Sequence, residues 1–253
     1  GMSGSRARTM VMVAVAVLPA MSASWAQEAL VARPQATGMV QVSRGDGELA
    51  VIELNAHGPG WQHASQASAA AGFSALPEGA GTRFVGSLPI PNTEGGAIQY
   101  TQTVTPLPRG LRIEYDLSMA QAMRLNGLQV SVNLPVARYG GAEVMISQPH
   151  GQAQIAGLPA QPREGAAQIW SGQGARIEAA QGTAEAVTVE LRAATDVVIQ
   201  DLRQWESEVF EIRFPAIMED AGRAVAAGDR FHLDLTVSFA APVTLEAPRA
   251  GGG

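Results

Sequence analysis

Hydrophobic and polar residues alternate along much of the chain in short runs. In the run 231–239 the odd positions are apolar, from Phe231 to Phe239, and the even positions carry His, Asp, Thr and Ser. Because successive side chains of a strand point to opposite faces, this pattern predicts a half-buried strand. Similar runs predict strands at 39–42, 49–54, 98–104, 111–117, 128–134, 142–146, 187–191, 197–202 and 210–214.

Turn-forming residues separate these runs, and the chain holds 28 Gly and 15 Pro. The runs 39–42 and 49–54 flank a turn with the sequence Gly-Asp-Gly, and this arrangement predicts a β-hairpin. Closely spaced strands without alternating long helices indicate an all-β fold, an antiparallel β-sandwich or barrel with one or two short helices, and we predict the sandwich. We expect helical excursions at 118–126 and 218–227. Residues 55–81 form either a long surface loop or a segment with a short helix near 64–71.

The N-terminal 26 residues have the pattern of a secretory signal peptide. Two arginines precede an apolar run, and small residues follow up to Ala26. Pro19 interrupts the apolar run, which is too short to cross a bilayer, so we expect an exported mature form without a membrane span, secreted or periplasmic in a bacterium. We predict a leader at 27–37, a single β-sandwich domain at 38–246 and a flexible tail at 247–253.

Composition removes several classes of function. The absence of Cys excludes disulfides, thiolate zinc sites and cysteine nucleophiles. A net charge of −6 argues against a nucleic-acid partner, which requires a basic surface. Nucleotide-binding and nucleophile-elbow motifs are missing, and no cofactor is expected. His57 and His63 share one segment, but zinc normally takes three or four ligands, so we predict no metal and leave the role of 57–63 open.

Four of the predicted strands have one apolar face and one strongly polar face. They are the strands at 111–117, 128–134, 187–191 and 231–239. A face rich in carboxylates, amides and Arg suits a ligand covered with hydroxyl groups, because such a ligand needs many directed donors and acceptors. The alternative is a solvated outer face with cross-strand ion pairs, which antiparallel sheets commonly have.

The stretch 200–206 breaks the alternation and is the best local candidate for a site. Strict alternation places Asp201 and Arg203 on the side of the apolar Val197, where bare charges are costly. A bulge, mutual neutralisation of the pair, or departure of the strand from the core would resolve the conflict. Gln200, Asp201 and Arg203 are therefore candidate ligand-binding residues. Trp205 either stacks on a sugar ring or plugs the end of the sandwich.

Further candidates lie elsewhere in the chain. Trp170 and Tyr139 are candidate ligand-binding aromatics, and Trp170 could instead cap the core. His232 and Asp234 share one strand face two residues apart, so both can reach one ligand. Together with Asp201 they are the candidate catalytic residues, although the sequence does not show whether Asp201 lies near the other two. Three acids at 206, 208 and 211 offer further carboxylates for a glycosidase-like pair.

Several short motifs resemble those of secreted bacterial β-sandwich domains. The motifs are Phe-Val-Gly-Ser-Leu at 84–88, Leu-Pro at 134–135, Tyr-Gly-Gly at 139–141 and Gln-Asp-Leu-Arg-Gln-Trp at 200–205. Such domains accompany glycoside hydrolases and polysaccharide lyases, and some resemble the galactose-mutarotase-like supersandwich. The resemblance covers about 82–239 and implies a large antiparallel sandwich with a carbohydrate ligand. It transfers no catalytic residue, because the family's acid and base positions cannot be matched one by one.

Three functional hypotheses follow. The first is an exported carbohydrate-binding or polysaccharide-processing accessory protein, which could act beside a catalytic partner protein. The second is a small carbohydrate-active enzyme, a glycoside hydrolase or lyase, and it predicts two acids, or an acid with His232 or Tyr139, in one cleft. The third is a structural envelope protein without a ligand. The sequence does not decide whether the protein is an enzyme.

Overall fold

The computed structural model describes residues 28–250, and the predicted signal peptide lies outside them. The structure is all-β, as predicted. Its strands are β1 Leu30–Pro34, β2 Val40–Arg44, β3 Gly47–Gly58, β4 Gln62–Ser65, β5 Ala70–Ala75, β6 Thr82–Pro89, β7 Ala97–Leu107, β8 Gly110–Met119, β9 Met123–Pro135, β10 Glu143–Ser147, β11 Gln154–Gly157, β12 Gln168–Ala179, β13 Val187–Asp201, β14 Val209–Val225, β15 Arg230–Phe239 and β16 Val243–Leu245.

Helical structure is confined to short turns. The α-helix α1 spans Val136–Tyr139, and the four 3-10 turns are Pro59–Trp61, Gln66–Ser68, Pro77–Gly79 and Leu202–Trp205. Within the described part of the chain, no helix has the length and apolar character needed to cross a bilayer.

The sheet is continuous and curls into a sandwich. Its strands follow the order β16-β1-β2-β3-β9-β14-β13-β15-β8-β7-β6-β5, and β4, β10, β11 and β12 attach beside this path. Nearly all pairings are antiparallel, with β1 and β16 the parallel exception among the paired strands. The long strand β13 is shared by both layers, because its first part pairs with β15 and its last part pairs with β14.

The core lies between the two layers. The apolar faces of β3, β9 and β14 meet those of β7, β8 and β15 in one continuous cluster of buried side chains. Its largest fully buried members include Tyr115, Phe84 and Phe210. Burial of apolar area at about 25 cal/mol per Å² is the main stabilising term for a chain without disulfides.

A buried glutamine links the two layers. The side-chain oxygen of Gln66 accepts hydrogen bonds from the backbone N–H of Leu54 at 2.8 Å and from the hydroxyl of Tyr115 at 2.7 Å. Its amide nitrogen donates to the backbone oxygen of Thr37 at 2.8 Å and to the side-chain oxygen of Gln102 at 2.7 Å. These partners satisfy the side chain of Gln66, which is fully buried.

Several local predictions were wrong. The helices expected at 118–126 and 218–227 are absent from the described structure, where these segments belong to β8, β9 and β14. The segment 55–81 is not a long loop, since it contains the end of β3 together with β4 and β5, whereas the alternative of a short helix near 64–71 corresponds to the 3-10 turn Gln66–Ser68. Pairing with neighbouring strands determines the conformation of these stretches, whose local composition also suits helix or loop.

The chain ends also take part in the sheet. The predicted leader at 27–37 contains β1, which pairs with β2. In the predicted tail, Arg249 forms an isolated bridge with Gln35.

Candidate functional site

A cleft of about 750 Å³ opens over one face of β3, β9 and β14. Strand register aligns the polar positions of this face: Glu53 is opposite Ser131, and Asn55 is opposite Gln129. On the other side of β9, Asn133 is opposite Glu211. The lining residues are Glu53, Asn55, His57, Trp61, His63, Asn133, Gln200, Leu202, Trp205, Ser207, Val209, Glu211, Arg213, Met218 and Asp220.

The same strands separate an apolar face from this polar one. The even positions of β9 hold Leu128, Val130, Val132 and Leu134, which are fully buried in the core. The odd positions 129 and 131 are also fully buried, although they are polar. The polar side of β9 is therefore packed beneath the cleft rather than solvated. We call the polar residues that β3, β9 and β14 contribute to this layer the platform, namely Glu53, Asn55, His57, Gln129, Ser131, Asn133, Glu211 and Arg213.

Neutral donors hold Glu53 in this platform. Its Oε1 accepts from the amide nitrogens of Asn55 at 3.1 Å and Asn133 at 3.3 Å, and its Oε2 accepts from the hydroxyl of Ser65 at 3.1 Å. The Asn55 amide also donates to the hydroxyl of Ser131 at 3.1 Å. The network fixes these side chains before any ligand arrives, which lowers the ordering cost of binding.

Glu211 and Arg213 form a buried ion pair in the floor. The guanidinium of Arg213 donates to Oε1 of Glu211, and the hydroxyl of Ser131 donates to Oε2 at 2.5 Å. The two charged side chains are only 4% and 8% exposed. Both oxygens of the carboxylate are therefore engaged, and the pair adds little net charge to the floor.

Two stacked imidazoles form one wall of the cleft. His57 and His63 are opposite each other on β3 and β4, with ring centroids 5.2 Å apart. The Nε2 of His63 lies 2.6 Å from the side-chain oxygen of Asn55, while the Trp61 ring meets His57 edge-on at 5.4 Å. Gly127 makes this packing possible, because a Cβ there would lie 2.7 Å from Nδ1 of His57.

His57 is uncharged at neutral pH. Burial, followed by the nearby charge of Arg213 and by His63, lowers the pKa of His57 from 6.5 to about 3. A neutral imidazole has one donor and one acceptor nitrogen, which suits a hydroxyl group.

Several polar atoms of the platform are buried without a hydrogen-bond partner among residues 28–250. They are Nδ1 of His57, both amide atoms of Gln129 and the side-chain oxygen of Asn133. Such groups are rare, because each one costs about 1–3 kcal/mol relative to a satisfied group. His57 and Asn133 also line the cleft, although these particular atoms point into the protein and are inaccessible to solvent.

Turns at the strand ends form the rim. Trp205 ends the 3-10 turn after β13 and is 62% exposed. The irregular part of β14 brings Asp220 to the edge of the cleft. The side chain of Asn126 holds that segment in place by donating to the backbone oxygens of Glu219 and Asp220, each at 2.8 Å.

Of the predicted residues 200–205, the structure brings Gln200 and Trp205 to the cleft and turns Asp201 and Arg203 away from it. Arg203 donates to both oxygens of Asp201 at 2.9 and 2.7 Å, and to the backbone oxygens of Pro159 and Ala160. Hydrogen bonds from Arg203 lower the pKa of Asp201. The charges that break the alternation thus neutralise each other where β13 ends.

His232 and Asp234 lie together, but in another cavity of about 260 Å³. Asp201 lines neither this cavity nor the cleft over β3, β9 and β14. Ligand atoms of Glu114, His232 and Asp234 come within 4.8 Å of one another, a spacing compatible with a metal ion. Asp234 is already paired with Arg112 at 2.9 Å and with Arg192 at 3.1 Å, and these cations compete with a metal for the carboxylate.

The two remaining aromatic candidates lie away from the cleft. Tyr139 is fully buried, and its hydroxyl donates to the backbone oxygen of Glu185 at 2.9 Å. Trp170 is half-buried on β12, where its indole N–H donates to Gln154 at 3.0 Å. Both side chains have structural contacts that account for their positions.

Most of the platform was not selected from the sequence. Glu53, Ser131 and Arg213 are polar residues within predicted strands, and Asn55 directly follows one, but none was named as a candidate. The signal was present in β3, where polar Glu53, Asn55 and His57 alternate with apolar residues at 52, 54 and 56. Alternation shows that this face is polar, whereas only the sheet order shows that three such faces are adjacent.

Comparisons with known proteins gave similarities of fold. No family model matches the chain. No curated protein matches it either. Among solved structures, the Slr1438 protein from Synechocystis sp. PCC 6803 is 9% identical, with a TM-score of 0.49 over 81% of this chain and 89% of that one.

Two further structures come from lactobacilli. A galactose mutarotase related enzyme from Lactobacillus acidophilus is 7% identical, with a TM-score of 0.47 over 85% of this chain and 98% of that one. A galactose mutarotase-like protein from Lactobacillus casei ATCC 334 is 9% identical, with a TM-score of 0.46 over 83% of this chain and 99% of that one. This chain is similar to each of the three structures over more than four fifths of its length.

Proposed function

We propose that the protein binds a carbohydrate in the cleft over β3, β9 and β14. The observation that carries the proposal is the platform itself, a set of preorganised amide, imidazole and carboxylate groups on neighbouring strands at the base of an open cleft. Sugars present hydroxyl groups in several directions, and directed donors and acceptors of this kind recognise them.

The aromatic side chains at the rim support the same proposal. Trp205 presents an exposed indole beside Gln200, and Trp61 lies against the histidine wall. The apolar face of a sugar ring packs on such rings, while its hydroxyl groups reach the polar floor. A cleft with aromatic edges and a polar base therefore matches both sides of a glycan.

An enzymatic role of the same cleft is the second candidate, because Glu53 and Glu211 both face it. Hydrolases and lyases use pairs of acids, or an acid with a base. Protein donors already engage both oxygens of each carboxylate, however. A His57 pKa of about 3 also makes this residue a weak base at neutral pH. These features favour binding over catalysis.

A glycan screen of the purified chain tests the proposal with two measurements, binding and release of reducing or unsaturated ends. Binding without product, weakened at least about tenfold in Trp205→Ala, is the expected result. Trp170→Ala is the matched control, because it removes the same side chain from a position on β12. Thermal melting of both variants checks that they fold.

Product formation that disappears in Glu211→Gln would support the enzymatic candidate instead. Failure to detect binding or product across a broad panel of neutral and charged glycans would overturn the carbohydrate proposal.

A further inference from the structure

We infer that the cleft accepts an uncharged glycan and rejects sugars that carry a carboxylate, sulfate or phosphate group. This inference rests on the proposed function and names the ligand class of the same site. Three carboxylates and one guanidinium line the cleft, and the balance of these charges carries the argument.

Glu53 is a buried carboxylate without a cationic partner among residues 28–250. It is 9% exposed, and its three hydrogen-bond donors are the neutral side chains of Asn55, Ser65 and Asn133. A second negative charge placed beside it would be repelled through a medium of low polarizability, which weakens the repulsion far less than water does.

Arg213, the guanidinium in the floor of the cleft, is already paired with Glu211. The Nε and Nη2 groups of Arg213 both donate to Glu211, so the favourable geometry of the guanidinium is directed at that carboxylate. An anionic sugar would have to compete with Glu211 for Arg213. Recognition of an anionic sugar normally relies on an arginine whose paired N–H groups face the ligand.

The rim adds to the same effect. Asp220 is exposed at the edge of the cleft, and no ion pair holds it within the part of the chain that the structure describes. Apart from Asp220, the polar groups of the lining that remain for a ligand include the uncharged amide of Gln200 and the uncharged imidazole of His57. They match the hydroxyl groups of a neutral sugar.

Pairs of oligosaccharides that share a backbone and differ at one substituent, which is neutral in one member and a carboxylate in the other, test the inference. Suitable probes are β-1,4-glucan with β-1,4-glucuronan oligosaccharides, and methyl-esterified with free oligogalacturonides. Calorimetry at low and physiological ionic strength should show at least about tenfold tighter binding of the neutral member of a pair. This difference should shrink as salt screens the charges.

Variants identify the source of the discrimination. Glu53→Gln should reduce the ratio of the affinities for the neutral and the anionic probe several-fold. Asp220→Asn should also reduce this ratio, and because Asp220 is exposed at the rim, the substitution leaves the core unchanged. Glu164→Gln removes the same charge from an exposed position outside the cleft lining and should leave the difference unchanged. Melting curves identify any variant that fails to fold.

The outcomes separate the two proposals. Equal or tighter binding of the anionic member would overturn the inference while supporting a carbohydrate site. An affinity difference between the paired probes that is unchanged in both Glu53→Gln and Asp220→Asn would also overturn the inference, because these two charges would not be its cause. Lack of binding by every probe in both charge states, together with lack of binding across the broad glycan panel, would overturn the inference and the proposed function together.

Discussion

Arg213 donates two hydrogen bonds to one oxygen of Glu211, with Nε and Nη2 lying 3.1 and 2.8 Å from Oε1. The two residues are two positions apart on β14, so they lie on the same face of the strand. Each side chain neutralises the other, which lets both be buried beneath the cleft.

Arg213→Met should destabilise the protein by about 3–5 kcal/mol, because it leaves the buried carboxylate of Glu211 without its cation. Chemical denaturation at neutral pH measures the loss. Arg223→Met is the matched control, since its pair with Glu219 has exposed side chains, at 44% and 41%, and should contribute at most about 1 kcal/mol. Equal losses in the two variants would contradict the buried-pair interpretation.

His57 should make the protein less stable as the pH falls. Its pKa is about 3 in the folded chain and 6.5 in the unfolded one, so the unfolded chain binds the proton first. The free energy of unfolding should therefore decrease between pH 6.5 and pH 3, by up to about 1.4 kcal/mol per pH unit. Urea titrations of the wild type and His57→Gln measure this slope, which should be shallower in the variant.

His232→Gln serves as the control for this measurement, because His232 is exposed and has no part in the cleft lining. A His57→Gln variant with the same pH slope as the wild type would show that His57 is not buried as described.

Gly127→Ala should weaken glycan binding with little loss of folding. A Cβ at this position would lie 2.7 Å from Nδ1 of His57 and 3.3 Å from the Trp61 ring, so both side chains must move. We expect roughly tenfold weaker binding, with Gly157→Ala as the control because a Cβ there meets no atom within 4 Å. Unchanged glycan affinity in Gly127→Ala would show that the wall formed by His57 and His63 does not contribute to ligand recognition.

Gln66→Leu should cost about 3 kcal/mol or more, because it removes the partners of a buried backbone N–H and of the Tyr115 and Gln102 side chains at once. The shift in the thermal or urea midpoint measures it. Gln152→Leu, at an exposed position, should change stability by less than about 0.5 kcal/mol. A midpoint unchanged by Gln66→Leu would mean that water replaces the link between the layers.

Asp201→Asn should lower stability by about 1–3 kcal/mol without affecting glycan binding, since Asp201 pairs with Arg203 rather than facing the cleft. The pKa of Asp201 is lowered in the folded chain, so the stability that it contributes is present above its unfolded value of 3.8 and lost as the pH falls through the folded value. Denaturation of the wild type and the variant at pH 7 and at pH 2 measures the difference in stability, which should be smaller in acid. Loss of glycan binding in Asp201→Asn would show that Asp201 takes part in ligand binding.

Alternation was sufficient to predict the fold class. The runs at 98–104, 111–117 and 231–239 all lie within observed strands, because their apolar faces match the period of a pleated sheet. The runs at 187–191 and 197–202 looked separate, but β13 continues through the polar residues between them. Strand β12 pairs with β13 on both sides of a register shift, up to Glu190 and again from Thr195, a long-range contact that local composition does not encode.

The site depends more strongly on such contacts. Residues at 200–205 were selected by their local mixture of acid, amide and aromatic, which identified Gln200 and Trp205 but could not tell them from Asp201 and Arg203. The cleft joins residues from β3, β9 and β14, which are separated by many positions in the chain. Only the sheet order makes them neighbours, and hydrophobic periodicity leaves that order undetermined.

The sharing of β13 between the two layers has a consequence for unfolding. Separation of either layer would break the pairing of β13 with β14 or with β15, and would expose core residues that both layers bury. Neither layer can therefore melt as an independent unit while the other remains intact. We expect one cooperative transition, with calorimetric and van't Hoff enthalpies in agreement, despite the size of the sheet.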